Sequence, residues 1–170
     1  LEEFKSVLED ANKTIIAANC KFAIKVFAMH GVNLSRNIYD CMVAHYLIDP
    51  DSTHRFEQMV QTYVKLKPRS LENLIGKGRT MKSFRDLNVD LVCDYAGESA
   101  DMVMRLSSIL QENIEQAEMI DLLENVEFPL VGILAEIELA GVNLDTKLLD
   151  NYSVQLAGQI DSLKSQILDS

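Results

Sequence analysis

The sequence predicts a predominantly helical α/β fold, on three observations. Two short strand-like runs, residues 14–18 and 37–39, lie near the start, and each feeds directly into a helical pattern. Nearly everything after them repeats apolar residues at spacings of three and four, the mark of helices with one buried face. Apolar content is 48% and charged content 25%, ordinary for a soluble globular chain. At 170 residues the chain holds one domain, or one domain and part of another.

Residues 1–12 read as a helix, with Phe4, Val7, Leu8 and Ala11 on one face. Lys13 breaks it, and Thr14-Ile15-Ile16-Ala17-Ala18 follows as a β-branched strand buried on both faces. Asn19 stands at the strand-to-helix junction, where its side-chain oxygen can cap the helix that runs to Met29 and stops at His30-Gly31. Asn37-Ile38-Tyr39 is the second strand, followed by a helix from Asp40 through Leu47. Asp49-Pro50-Asp51 is a turn. Residues 55–66 are amphipathic through Phe56, Met59, Val60, Tyr63 and Val64. Pro68-Arg69-Ser70 interrupts, and Ser70 caps a short helix to Leu74.

Residues 87–113 form the long helix, with a break expected near Asp94. Character changes near Ala117, and a further helix begins or kinks at Pro129 and stops at Gly141. Asp145 caps the last helix. There Leu149, Tyr152, Leu156, Ile160, Leu163 and Ile167 form a coiled-coil-like stripe that wants a partner.

Composition narrows the function classes. A net charge of −10 argues against a free-standing nucleic-acid binder, without excluding a local basic cleft. No apolar run approaches the ~18 residues of a membrane span. Three cysteines, Cys20, Cys41 and Cys93, lack metal-type spacing and read as reduced thiols, which fits a cytosolic protein. Leu1 is not a natural start, so the chain is expected to be a piece of a longer one.

The stretch Tyr95-Ala96-Gly97-Glu98-Ser99-Ala100-Asp101 opens the long helical run. Val92, Tyr95, Ala96, Ser99, Val103, Leu106 and Leu110 share one face, so Ser99 points inward one turn after Tyr95. Glu98 and Asp101 lie off that line, and Asp101 can pair with Arg105. Ile75-Gly76-Lys77-Gly78-Arg79 is either a phosphate cradle or a plain turn, and it lacks the spacing of a Walker loop. His30, His45 and His54 share no metal spacing and read as solvated or core histidines. Cys20 and Cys93 have no histidine at local spacing to activate them. Asp40 reads as a helix cap, with ligation as the alternative.

Taken together, these stretches resemble the bacterial DNA polymerase I family, in which a ribonuclease H-like 3′-5′ exonuclease domain precedes the polymerase domain. Asn19-Cys20-Lys21-Phe22-Ala23 is similar to the family's second exonuclease motif, Asn-x-Lys-Tyr/Phe-Asp. Tyr39-Asp40-Cys41-Met42, with Tyr46-Leu47, resembles its Asp-Thr-Met segment, and Ile75-Gly76-Lys77-Gly78, with Phe84, its Gly-Lys-Gly loop. Residues 95–101 are similar to the third motif, Tyr-x-x-x-Asp-Ala-Asp. Glu124-Asn125-Val126-Glu127-Phe128-Pro129-Leu130 through Gly141-Val142-Asn143-Leu144-Asp145 resembles the segment that opens the polymerase domain and enters the base of the thumb.

The resemblance implies a partial ribonuclease H-like exonuclease domain over residues 1–117, then the start of a family A polymerase domain over 118–170. It also implies that the chemistry has gone. Exonucleases of this type clamp the phosphodiester with two metals held by four carboxylates. The first motif would lie before Leu1. The second-motif Asp matches Ala23 and the third-motif Asp matches Ser99, neither of them a carboxylate. Tyr95, which orients the attacking water in the family, is then left to packing.

The expectation is a degenerate, inactive exonuclease segment that supports the polymerase domain of a parent enzyme acting in DNA replication and repair. The parent would use Mg2+, whereas this segment would bind no metal or other cofactor. Asn19, Lys21 and Lys77 are the candidate substrate contacts. DNA is the partner through the parent, with weak or no contact here; the segment is expected to be monomeric, off the membrane, cytoplasmic and nucleoid-associated. The alternatives are an active metal-dependent exonuclease and a non-catalytic helical interaction module.

Overall fold

In the computed structural model, residues 1–168 are described, apart from the Thr80 side chain. The chain divides into two compact units, Leu1–Leu139 and a second that begins at Ala140. The first unit opens with α1, Glu2–Leu8, which ends four residues earlier than the pattern suggests. It ends early because Asp10 turns its carboxylate onto the backbone N–H of Asn12, 2.9 Å away, which favours a turn over another helical residue.

Strand β1, Ile15–Ala17, and strand β2, Ile38–Asp40, form a two-stranded parallel sheet in the register Ile15↔Ile38, Ile16↔Tyr39, Ala17↔Asp40. Helix α2, Cys20–Met29, is the crossover that a parallel pair requires. Gly31 at φ +74° lets the chain turn away after it.

The sheet separates two apolar clusters, because successive strand residues face opposite ways. Ile16 and Tyr39 join the larger cluster; Ile15, Ala17 and Ile38 join a smaller one around Cys20 and Val131. Burial on both faces is therefore present, though the β1 residues are only half-buried.

The buried residues of the larger cluster come from helical elements. Helix α3, Cys41–Ile48, contributes Cys41 and Ala44. Helix α4, Phe56–Met59, runs into a π-turn, Val60–Val64, and contributes Met59 and Val60. That turn ends at Lys65, held left-handed at φ +61°. Helix α5, Leu71–Ile75, comes next, with Ser70 as its cap.

Helix α6 runs unbroken from Val89 to Gln116, so the expected interruption near Asp94 is absent. Gly97 lies inside it, and the cost of one glycine, about 1 kcal/mol, is small beside the face that α6 buries. Met102, Leu106, Leu110 and Ile114 lie in the core at the spacing the sequence shows, each side chain worth about 1.5–3 kcal/mol on burial. The helix ends on a left-handed Glu118, φ +57°, with Met119 N–H donating to Ile114 O at 3.1 Å.

Helix α7, Ile120–Leu122, passes through a π-turn, Leu123–Glu127, into α8, Phe128–Ala140. Pro129 explains the π-turn: it lacks an N–H, and its ring would collide with the carbonyl four residues back in a regular helix. Widening the preceding turn removes both problems. Leu123, Val131 and Ala135 are buried along this segment. Gly141, at φ +73°, follows α8.

In the second unit, Asp145 caps helix α9, Thr146–Leu168, through a bond from Leu148 N–H of 3.0 Å. The helix carries the apolar stripe expected of it, and none of its residues is buried. Among the described residues, no helix is long and apolar enough to cross a membrane.

Candidate functional site

The motif-like stretches lie on α2 and α6, both of which pack against β1. On α2, Asn19 is the N-cap, its Oδ1 accepting from Phe22 N–H at 3.0 Å. Capping satisfies one of the four backbone donors that a helix start leaves open. Lys21 points to α8, its Nζ 2.7 Å from Glu138 Oε1, and Lys25 holds the other oxygen of that carboxylate. These two cations draw the Glu138 carboxyl down to about 2. Ala23 is half-buried and brings no polar atom.

On α6, the Ser99 hydroxyl donates 2.8 Å to the carbonyl of Tyr95, one turn back in its own helix. Its neighbour Glu98 is held by Arg69 in two places. Oε1 accepts from the Arg69 backbone N–H at 2.7 Å, and Oε2 lies 3.0 Å from Arg69 Nε. Asp94 adds a longer contact of 3.3 Å to the same guanidinium. Asp101 pairs with Arg105 at 2.9 Å, as the i,i+4 spacing predicts. Among the described residues, no hydrogen bond or ion pair joins residues 19–23 to residues 95–101.

The best-satisfied buried charge belongs to Asp40, at the end of β2. Its Oδ2 accepts from Cys20 N–H at 2.7 Å; its Oδ1 accepts from Met42 N–H at 2.9 Å and Val43 N–H at 3.4 Å. One carboxylate thus caps α3 and also ties down the start of α2. Burial pushes its carboxyl above the ordinary range, with the three N–H donors opposing. The capping role read from sequence is present, but the reach to Cys20, twenty residues away, had no local signal.

Beside it, burial and then the Asp40 charge push the Cys41 thiol up to about 12, and the Cys20 thiol rises for the same reasons. Buried thiols held protonated are poor nucleophiles. Cys93 is exposed.

Two further features escaped the sequence. His45 is buried and its Nδ1 sits 2.7 Å from Nδ1 of His54, with Tyr63 edge-on to His45 and Tyr46 edge-on to His54. Nine residues across a turn separate the two rings, outside the i+3 and i+4 spacings that sequence can read. The second is a groove of about 920 Å3 between α2, residues 33–39 and α8, lined by Ile24, Leu34, Phe128 and Ile133. Tyr39 meets Phe128 edge-on there, with its hydroxyl oxygen buried and unbonded.

The glycine-rich loop is a closed turn. Gly76 and Gly78 take φ of +83° and +59°, and Lys82 N–H donates 2.7 Å to Ile75 O. Lys77 on this loop pairs with Glu72 at 2.5 Å.

A pair of metal ions of the kind used in phosphodiester cleavage needs several converging carboxylates. Ala23 supplies no ligand, the Ser99 hydroxyl is directed at Tyr95, and Glu98 is engaged by Arg69. Among the described residues, no three His, Cys, Asp or Glu side chains cluster as a metal site.

Residues 1–115 match the family model described as 3′-5′ exonuclease. The chain is 26% identical over 170 residues to DNA polymerase I of Borreliella burgdorferi, covering all of this chain and 18% of that protein. It is 30% identical over 173 residues to DNA polymerase I of Pseudomonas aeruginosa, covering 99% of this chain and 19% of that protein. To DNA polymerase I of Treponema pallidum it is 30% identical over 147 residues, 85% of this chain and 14% of the other. The chain therefore spans less than a fifth of these relatives' length.

Proposed function

From the premise that this chain belongs to the 3′-5′ exonuclease family of DNA polymerase I, we propose that it is a non-catalytic support within a DNA-directed DNA polymerase. Residues 1–117 form the later part of a ribonuclease H-like exonuclease domain, and residues 118–170 begin the polymerase domain. The parent extends a primer on a template with Mg2+, in the bacterial cytoplasm at the nucleoid. This segment holds that polymerase domain and removes no nucleotides itself.

The observation that carries this reading is the state of the third-motif stretch. Its inward position is a serine whose hydroxyl is spent on Tyr95 O, and the adjacent Glu98 carboxylate is neutralised by Arg69. Cleavage needs carboxylates presented to metal, and this helix presents none from either position. Lys21 and Asn19, the candidate contacts for substrate, are engaged in an ion pair to α8 and in a helix cap. They contribute to stability first.

The test is digestion of 3′-labelled single-stranded DNA by the intact parent with magnesium or manganese. The expected result is no metal-dependent release of 3′ nucleotides. Release that disappears in Glu98→Gln or Ser99→Ala variants would overturn the reading. Primer extension by the same preparation, run in parallel, checks that the polymerase is folded.

A further inference from the structure

We propose that Lys21 and Lys25 of α2, together with Arg36, form an ionic seat for α8, which fixes the end of that helix and with it the point where the chain leaves the first unit. The proposal rests on the reading that residues from 118 onward begin the polymerase domain, and it names the contact by which the exonuclease part holds them.

Sequence separation is the first observation. Three ion pairs join residues 100 to 117 positions apart, and each of them ends on Glu136 or Glu138. Lys21 and Lys25, one turn apart on α2, take the two oxygens of Glu138, and Arg36 takes Glu136. The three cations lie within residues 1–115, which match the exonuclease model, whereas α8 lies beyond that match. The pairs therefore cross from one part to the other.

The second observation is where burial along α8 stops. Val131 and Ala135 are buried, and every residue from Glu136 to Ala140 is exposed. Beside this end runs the groove between α2, residues 33–39 and α8, with Arg36 and Glu136 both on its walls. Apolar packing thus holds the first part of α8, and a gap lies along the rest. The charge pairs are what fixes the last turns, immediately before the second unit begins at Ala140.

Gly132 is the third. Glycine is unfavourable in the middle of a helix. A Cβ at this position would lie 3.3 Å from Arg36 Nη1. The bare backbone leaves the guanidinium room to cross α8 and reach Glu136, four residues on.

The arrangement sets position as well as contact. A carboxylate with a separate cation on each oxygen cannot slide along α2 without giving one of them up. Arg36 adds a second point of attachment, so the helix end is held against rotation as well as lifting. These pairs are partly exposed, so each adds little to global stability and salt screens them. Their weight is in placement.

The experiment is double electron–electron resonance on the 170-residue chain, with nitroxides on Met104→Cys of α6 and Ile137→Cys of α8 in a Cys93→Ser background. Both labelled positions are exposed and lie in the first unit, and Cys20 and Cys41 are buried. The expected result is one narrow distance at low salt, lost at about 1 M salt, where the screening length falls to about 3 Å. Glu138→Gln should lose it already at low salt. So should Gly132→Ala, although alanine favours the helix and the urea midpoint should not fall. The charge swap Lys21→Glu/Lys25→Glu/Glu138→Lys should bring the narrow distance back. A narrow distance kept in Glu138→Gln or Gly132→Ala overturns the proposal, because the pairs would then add stability without placing the helix. A swap that stays as broad as Glu138→Gln, or a wild type already broad at low salt, overturns it too. Metal-dependent digestion in the nuclease test would sink the inactive-site reading and leave this joint standing, and a failed joint would leave that reading untouched.

Discussion

The Nδ1 atoms of His45 and His54 lie 2.7 Å apart, so one ring must donate to the other and only one proton fits between them. Burial first, and then the neighbouring His54, holds His45 below its ordinary 6.5, while Asp49 pulls the other way. Tyr46 and Tyr63 are the other titratable groups facing the pair. With the folded value depressed, the unfolded chain takes up the proton first. Stability is therefore full above about pH 7 and falls as pH drops through 6.5 towards the folded value. Urea midpoints measured from pH 8 down to 5 are expected to decline, and His45→Phe should flatten the decline. An unchanged slope in that variant would remove the pair from the account.

Asp40 is expected to be the most sensitive polar residue. In Asp40→Asn, one oxygen can serve either Cys20 N–H or the pair at Met42 and Val43, and the amide NH2 then faces a donor on the other side. Leaving a buried donor unpaired costs about 1–3 kcal/mol, read as a lower urea midpoint. Asp40→Ser, which also caps helices but cannot span both, should lose a similar amount. The carboxyl's own pH dependence has the opposite sign to that of His45. Its folded value lies above 3.8, so this group alone makes stability fall as pH rises from 3.8 through the folded value.

Ser99 and Leu110 share a helix face but should respond very differently. Ser99→Ala removes only a hydroxyl bonded within its own helix and is expected to change stability by less than about 0.5 kcal/mol. Leu110→Ala empties a fully buried site and should cost about 2–5 kcal/mol. A large loss at Ser99, seen by the same denaturation, would mean that its hydroxyl has a partner beyond Tyr95.

Thiol labelling separates the three cysteines. Cys93 is exposed, whereas Cys20 and Cys41 are buried and kept protonated. A disulfide reagent at neutral pH should modify one thiol quickly, and the other two only as fast as the protein opens. Fast labelling of two or more thiols in the folded state would contradict the burial around β2.

Much of the fold was legible in local pattern. Asn19, Asp40, Ser70 and Asp145 cap the helices that follow them, because a cap is written in neighbouring residues. Of the α6 face read from period, Leu106 and Leu110 are buried, whereas Ala96 is exposed and Met102 and Ile114 enter the core from outside that reading. What was hidden is what depends on distant partners: the second arm of Asp40, the Arg69 hold on Glu98, and the pairing of Lys21 and Lys25 with Glu138. The expected break near Asp94 is absent in a stretch where no residue is buried but where Asp94 and Glu98 both hold Arg69, a partner that local pattern does not reveal. At the motif positions the residue types were plain from the start. The direction of the Ser99 hydroxyl was not.

The π-turn before Pro129 sets the phase of everything after it. In an unbroken α-helix, Val131 would lie about 80° around the axis from Leu123, at about 100° per residue. The additional residue in the wide turn takes back about 100°, bringing Val131, and Ala135 one turn on, close to the line of Leu123. The segment is thus keyed to its length as well as its composition. Deleting Asn125 would leave every apolar side chain present, yet rotate Val131 and Ala135 out of the core and set the Pro129 ring against the carbonyl four residues back.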